Sequence, residues 1–193
     1  MDNEPRSDSV KRAKDAVFDI ALCNRWNWFV TLTCDLKKID RYDSKAVSKA
    51  AQNWLKNIVY RHNGVYLLLP EEHKDNAIHM HALMRGDLKL VDSGIKTKDG
   101  KTVYNLPQWQ YGFSTAIEVT GSPYAIAKYI TKYVTKDVKK IFGKYYYAGG
   151  KGLQRKPPVE LYDTDYTSVN AKEYSIDDVN LKFKYTTESE NEK

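Results

Sequence analysis

Residues 76–84, Asn76-Ala77-Ile78-His79-Met80-His81-Ala82-Leu83-Met84, place two of the chain's four histidines one residue apart inside an apolar run. Side chains alternate faces along a β-strand, so His79 and His81 share one face while Ile78, Met80 and Ala82 share the other. Neighbouring imidazoles on a rigid strand suit a divalent metal once a third ligand is supplied. Taken alone, the same pair also fits an ordinary strand in which each histidine meets a hydrogen bond or solvent.

The connection just before it, Glu71-Glu72-His73-Lys74-Asp75-Asn76, offers the ligand. A two-residue turn at Asp75-Asn76 pairs Glu72 with His79 and sets that carboxylate on the histidine face. A loop of different length would select Glu71 or His73 instead. Glu72 is the expected ligand, with Glu71 behind it. Two imidazoles and a carboxylate leave open positions on a hard ion, which suits Mg²⁺ or Mn²⁺ acting on phosphate oxygen.

Further out, Val65 to Leu69 reads as a preceding strand. Val47, Ala50, Ala51, Trp54, Leu55, Ile58 and Val59 form one helical stripe after Ser44, ended by Asn63-Gly64. Trp28 to Cys34 is a β-branched and aromatic strand. Strand, helix, strand, strand is the first half of a ferredoxin-like or RNA-recognition-motif-like α+β fold.

Asp8 to about Asn24 carries apolar residues at helical spacing. Residues 86–108 form a polar excursion with an Asp99-Gly100 hairpin tip. Trp109 to Val119 returns as a strand, and Ser122-Pro123 opens a helix running to about Ile141. Tyr145-Tyr146-Tyr147 reads as a short strand before a basic glycine loop. The organisation expected is a flexible N-terminus over 1–7, one domain over 8–160 and a mildly acidic, weakly structured segment over 161–193.

Charge separates these parts. Residues 160–193 hold nine acidic and four basic residues, and residues 1–159 hold 27 basic against 16 acidic. A basic body favours a polyanionic partner, although the same charge also serves solubility. Fifteen tyrosines and four tryptophans add surfaces of the kind on which single-stranded bases stack. Cys23 and Cys34 fit no metal or redox spacing and read as buried thiols in a reducing cytosol. No apolar run approaches membrane-spanning length.

The later helix carries a second set of reactive groups. Ile126, Ile130, Val134 and Ile141 form its apolar stripe, Tyr129 and Tyr133 lie along one edge, and Lys132, Lys136 and Lys140 lie just beyond. An amphipathic helix with tyrosines at its rim looks the same. A free tyrosine has a pKa near 10, so a phenolate at neutral pH needs cations or a metal beside it. Such a phenolate attacking phosphorus would leave a covalent phosphotyrosine.

Three motifs in order resemble the HUH endonucleases, the rolling-circle replication initiators of plasmids and single-stranded DNA phages. Phe29-Val30-Thr31-Leu32-Thr33 looks like the first motif, His79-Met80-His81 like the His-hydrophobic-His motif, and Tyr129-x-x-Lys132-Tyr133-x-x-Lys136 like the third in its two-tyrosine phage form. The N-terminal helix and Trp109-x-Tyr111-Gly112-Phe113 are similar to flanking features of phage-type members, and the resemblance spans roughly residues 10–160.

The resemblance implies a central antiparallel sheet of about five strands, with the metal site on it and the tyrosine helix alongside. It implies nicking of single-stranded DNA at an origin, a 5′-phosphotyrosine, a free 3′-hydroxyl for a host polymerase, and a separate host helicase. The setting implied is the cytoplasm of a microbial host. Tyr133 is the expected nucleophile and Tyr129 its alternating partner, with Lys132 and Lys136 beside them. Lys128, Lys140, Lys151, Arg155 and Lys156 would track the DNA backbone. Tyr145, Tyr146, Tyr147 and Trp109 could stack bases or serve the core. The rivals are a non-catalytic single-strand binding module of RRM-like fold and a related HUH transposase or relaxase, whose motif order fits less well.

Overall fold

A computed structural model describes residues 7–134 and 141–157. The chain runs α1 (Ser7–Leu22), β1 (Trp28–Thr33), α2 (Ser44–His62), β2 (Val65–Glu72), β3 (Ile78–Arg85), β4 (Val91–Lys96), β5 (Thr102–Asn105), β6 (Ser114–Glu118), α3 (Pro123–Thr131) and β7 (Tyr147–Gly149). The fold is α+β, as expected. The seven strands of the described residues form one antiparallel sheet in the order β4-β5-β6-β1-β3-β2-β7. The middle of it is a split β-α-β unit, because α2 joins β1 to β2 and β3 lies between them.

The sheet is wider than the expected five strands because the polar excursion joins it. Thr97 and Lys101 close its tip backbone to backbone, and Gly100 turns it at φ 82°. Glycine meets that left-handed conformation without steric cost. β5 then pairs with β6, which adds two strands at that edge.

Each face carries its own core. The Asp43 carboxylate caps α2 by accepting from the backbone N–H of Lys45 and Ala46, and Asn63 ends the helix in a left-handed turn. Ser44, expected as the cap, is the first helical residue. The α2 stripe packs on Val30, Leu32, Leu68, Met80, Ala82 and Met84. On the opposite face α1 and α3 cover Val65, Leu67, Leu69 and Leu83. Side chains of β3 alternate between these cores, so Met80 enters the first and the histidines stand on the face of α1 and α3.

Two expectations change on the later helix. It ends at Thr131 rather than near Ile141. Thr131 Oγ1 donates back to the Ala127 carbonyl, and the N–H groups of Tyr133 and Val134 reach only three residues back, to Ile130 and Thr131. That tightening ends the α-helical ladder. The stripe therefore stops at Val134, and Ile141 packs in the core of the other face.

Two contacts fix the parts that border the site. Asn24 is buried; its amide nitrogen donates to the carbonyls of Ile20 and Gln154, and its oxygen accepts from Gln154 N–H. It ties the end of α1 to the segment after β7. Trp109 is buried against Trp54 and donates through Nε1 to the Thr33 carbonyl, so it belongs to the core and not to a base-stacking surface. Beside it, Thr33 N–H donates to Phe113 and Asp35 N–H to Tyr111. A Cβ on Gly112 would lie 2.2 Å from the Thr33 carbonyl oxygen, so only glycine lets this loop close on β1.

Among the described residues no helix is long and apolar enough to cross a membrane. Residues 158–193, including the expected acidic segment, lie outside the described residues, as do residues 1–6.

Candidate functional site

Three adjacent strands build the histidine face. Register places Thr33, His79 and Glu71 in one row across β1, β3 and β2, and Thr31, His81 and Leu69 in the next. The carboxylate opposite His79 is therefore Glu71. Glu72, the expected ligand, pairs with Ile78 and is exposed. The cause is loop length. His73 N–H donates to the Ala77 carbonyl and Asn76 N–H to the His73 carbonyl, so three residues, Lys74 to Asn76, make the turn instead of two. Asn76 adopts φ 62°, as the last residue of a three-residue hairpin loop does. An ion pair between Arg41 and Asp75 at 3.2 Å pins the tip.

Glu71 makes the closest polar contact in the site. Its Oε2 lies 2.7 Å from His81 Nε2, and Thr31 Oγ1 lies 3.3 Å from His81 Nδ1. A carboxylate can only accept, so Nε2 carries the proton and Nδ1 accepts from the Thr31 hydroxyl. Burial pushes the His81 imidazole below its ordinary range, while the bond to Glu71 and its charge oppose that, and Lys132 and His73 add to it. Burial also lowers His79, helped by the nearby His73 and His81. Both rings are thus neutral at neutral pH, and the 2.7 Å contact is a hydrogen bond from a neutral imidazole to a carboxylate. His73 stacks on His79 with centroids 4.3 Å apart.

The tyrosines lie over this row. The Tyr133 ring stacks on His81 with centroids 4.0 Å apart and planes at 21°. Tyr129 and Tyr133 hydroxyls are 3.3 Å apart. Phe29, projecting from β1 on the same face, meets the Tyr129 ring edge-on at 5.3 Å and lies nearly parallel to His81 at 5.9 Å. Lys132 sets its ammonium 3.6 Å from the Tyr129 ring centroid and 5.1 Å from that of Tyr133. Burial, the bond to Tyr129 and the Tyr129 and Glu71 charges all raise the pKa of Tyr133 well above that of a free phenol. Its hydroxyl is protonated in the protein by itself.

Glu71, His79 and His81 have the right chemistry for a divalent ion: two neutral imidazoles and a carboxylate on one face, two of the three already 2.7 Å apart. As the side chains stand, no group of three or more His, Cys, Asp or Glu among the described residues is arranged around a common point.

The expected DNA-contacting residues separate. Arg155 donates to the Ala148 carbonyl and, with Tyr66, Lys144, Tyr146 and Tyr147, lines a hollow of about 510 Å³ beside β7. Tyr145 is buried in the core of the α1 and α3 face, although an edge of it also reaches that hollow. Lys151 lines a different hollow with Asn63, Arg85 and Asp87. Lys128 and Lys156 are exposed, and Lys136 and Lys140 lie outside the described residues.

Sequence reasoning missed Thr31, Phe29 and His73 as members of the site. Phe29, Thr31 and Thr33 recur with period 2 in the first motif, which is the signal that they share one face.

A model of a family described as replication-associated protein, of the ORF2 type, matches residues 27–138. The matched span runs from the start of β1 through the histidine strand to the two tyrosines. No curated protein matches the chain, and no solved structure does.

Proposed function

Because this chain belongs to the ORF2-type family of replication-associated proteins, we propose that it initiates replication by nicking single-stranded DNA at an origin and later rejoining it. The chemistry is transesterification onto a tyrosine. The observation that carries this reading is Tyr133 stacked on His81 at 4.0 Å, with the Tyr129 hydroxyl 3.3 Å from its own and Lys132 over both rings.

The Tyr133 oxygen attacks phosphorus and forms a new P–O bond to the 5′ side of the strand. The bond from phosphorus to the 3′-oxygen breaks, and that oxygen leaves as a hydroxyl with the proton that the phenol gives up. One phosphodiester replaces another, so a later attack by a 3′-hydroxyl restores the strand without an energy source. Tyr129, hydrogen-bonded to Tyr133, is placed to share its proton and to act as the second nucleophile. The Lys132 ammonium offsets negative charge as the phenol ionises. Lys136 belongs to the same reading, although it lies outside the described residues.

Glu71, His79 and His81 are the residues that would hold Mn²⁺ or Mg²⁺, which when bound polarises the phosphate and lowers the cost of a phenolate. The free 3′-hydroxyl primes a host polymerase, with strand separation left to a host helicase.

The test incubates the protein with single-stranded origin DNA and Mn²⁺ and resolves a covalent adduct on a denaturing gel. Wild type gives the adduct. EDTA removes it, and so does the Tyr129→Phe/Tyr133→Phe double variant. An undiminished adduct from the double variant, or none from wild type, refutes the mechanism.

A further inference from the structure

The β4–β5 hairpin has no part in the chemistry above, yet its tip overhangs the tyrosine helix. A cavity of about 500 Å³ lies beneath it. That is within the range of small-ligand sites. Phe29, Leu83 and Ile117 of the sheet form its floor, and Ile126 and Tyr129 of α3 form one wall. Asp99 and Lys101 of the hairpin tip, with Glu118, line the opening. Lys101 donates to the Thr120 hydroxyl, which latches the tip to the chain just beyond β6.

We infer that this slot takes a nucleobase, that of the nucleotide whose phosphate lies at the tyrosines. The inference rests on the nicking reading for the path of the strand. Tyr129 connects the two places, since its ring lines the slot while its hydroxyl bonds to Tyr133. Two aromatic rings and an aliphatic floor match a base, because every base offers a π-face for stacking. The rim offers carboxylates and an ammonium, which can meet the amino and carbonyl groups of a base edge. Asp99 and Glu118 at the same opening disfavour a phosphate there, so the anionic part of the nucleotide stays outside, toward Lys132. The slot thereby gives the hairpin a role: it reads the strand beside the nick while the tyrosines cut it.

The test titrates dAMP, dCMP, dGMP and dTMP separately into the full-length protein and follows backbone amides by NMR. 2-Deoxyribose 5-phosphate, which lacks a base, is the control. At least one nucleotide shifts the amides of Thr97, Ile117 and Ile126, and the control does not. Ala125→Trp fills the slot from the exposed wall of α3 and weakens binding by about tenfold, within what one base–aromatic contact contributes. Lys101→Ala opens the latch and weakens binding in the same direction. Equal shifts from the base-free sugar phosphate, no nucleotide shifts at these amides, or wild-type binding by an Ala125→Trp variant with a native amide spectrum each overturn the inference. The adduct gel reports separately. An adduct without base-dependent shifts leaves nicking standing and removes the slot, and the converse result does the reverse.

Discussion

Replacing Glu71 by glutamine, alongside Glu72→Gln, tests the register on which the site depends. Glu71 accepts from His81 at 2.7 Å, with the two side chains 34% and 11% exposed. A hydrogen bond to a charged group contributes roughly 1.5–3 kcal/mol when buried, and partial exposure of the carboxylate brings this to about 1 kcal/mol. The expected loss of Tm is about 3 °C for a domain of this size. Glu72 makes no side-chain contact of this kind, so Glu72→Gln should stay within about 0.5 kcal/mol. In the adduct assay Glu71→Gln should fall about 100-fold, since it removes a metal ligand, whereas Glu72→Gln stays near wild type.

A pH series on metal-free protein adds a second arm. Burial keeps His81 and His79 below their ordinary 6.5, so on acidification the unfolded chain takes up protons before the folded chain does. Stability is therefore full above that value and falls as pH drops below it, until the folded imidazoles also titrate. Glu71 opposes the effect of burial on His81. Its loss depresses that imidazole further and extends the acid loss to lower pH. Urea melts between about pH 7 and about pH 5 read this directly. If Glu72→Gln is the damaging substitution and Glu71→Gln is silent in all three measurements, the three-residue loop is wrong and the ligand argument falls with it.

Three further substitutions probe other parts. Tyr133→Phe should cut first-strand adduct formation about 100-fold while Tyr129→Phe spares it and loses only a second strand transfer, as followed with two labelled oligonucleotides. Because burial and Tyr129 hold the Tyr133 phenol protonated, wild-type adduct rates at fixed Mn²⁺ should climb from about pH 7 to about pH 9; a flat profile would show that phenol ionisation does not limit the step. Gly112→Ala should cost about 3 kcal/mol, the upper end for single substitutions, because the new methyl meets the Thr33 carbonyl backbone rather than a movable side chain; calorimetry reads the lowered Tm. Asn24→Ala should cost about 2 kcal/mol by leaving the Gln154 N–H and carbonyl without their buried partner, with hydrogen exchange rising first around residues 153–155.

The parts of the fold that were legible in the sequence rest on local periodicity. Alternation over Ile78 to Ala82 assigns the histidines to one face and Met80 to the other whatever the rest of the chain does, and the stripe from Val47 to Ile58 selects the buried side of α2 in the same way. What was not legible depends on single residues acting at a distance. Glu71 and Glu72 have the same chemistry, and only the backbone of Asn76 decides between them, since one left-handed residue adds one position to the loop and rotates every side chain before it to the other face. Helical spacing extends the tyrosine helix through Ile141, whereas a threonine bonding back to its own ladder ends it at Thr131 and sends Ile141 to the opposite core. That early end has a chemical consequence. Tyr129 lies within the helix and Tyr133 in the turn beyond it, so the two phenols four residues apart are not equivalent: one is 47% exposed on the slot and the other lies flat on His81. A regular helix would present both alike. The tightened turn is what separates a tyrosine held against the imidazole row from one that faces the incoming strand, and under the proposed mechanism it gives the first attack to Tyr133.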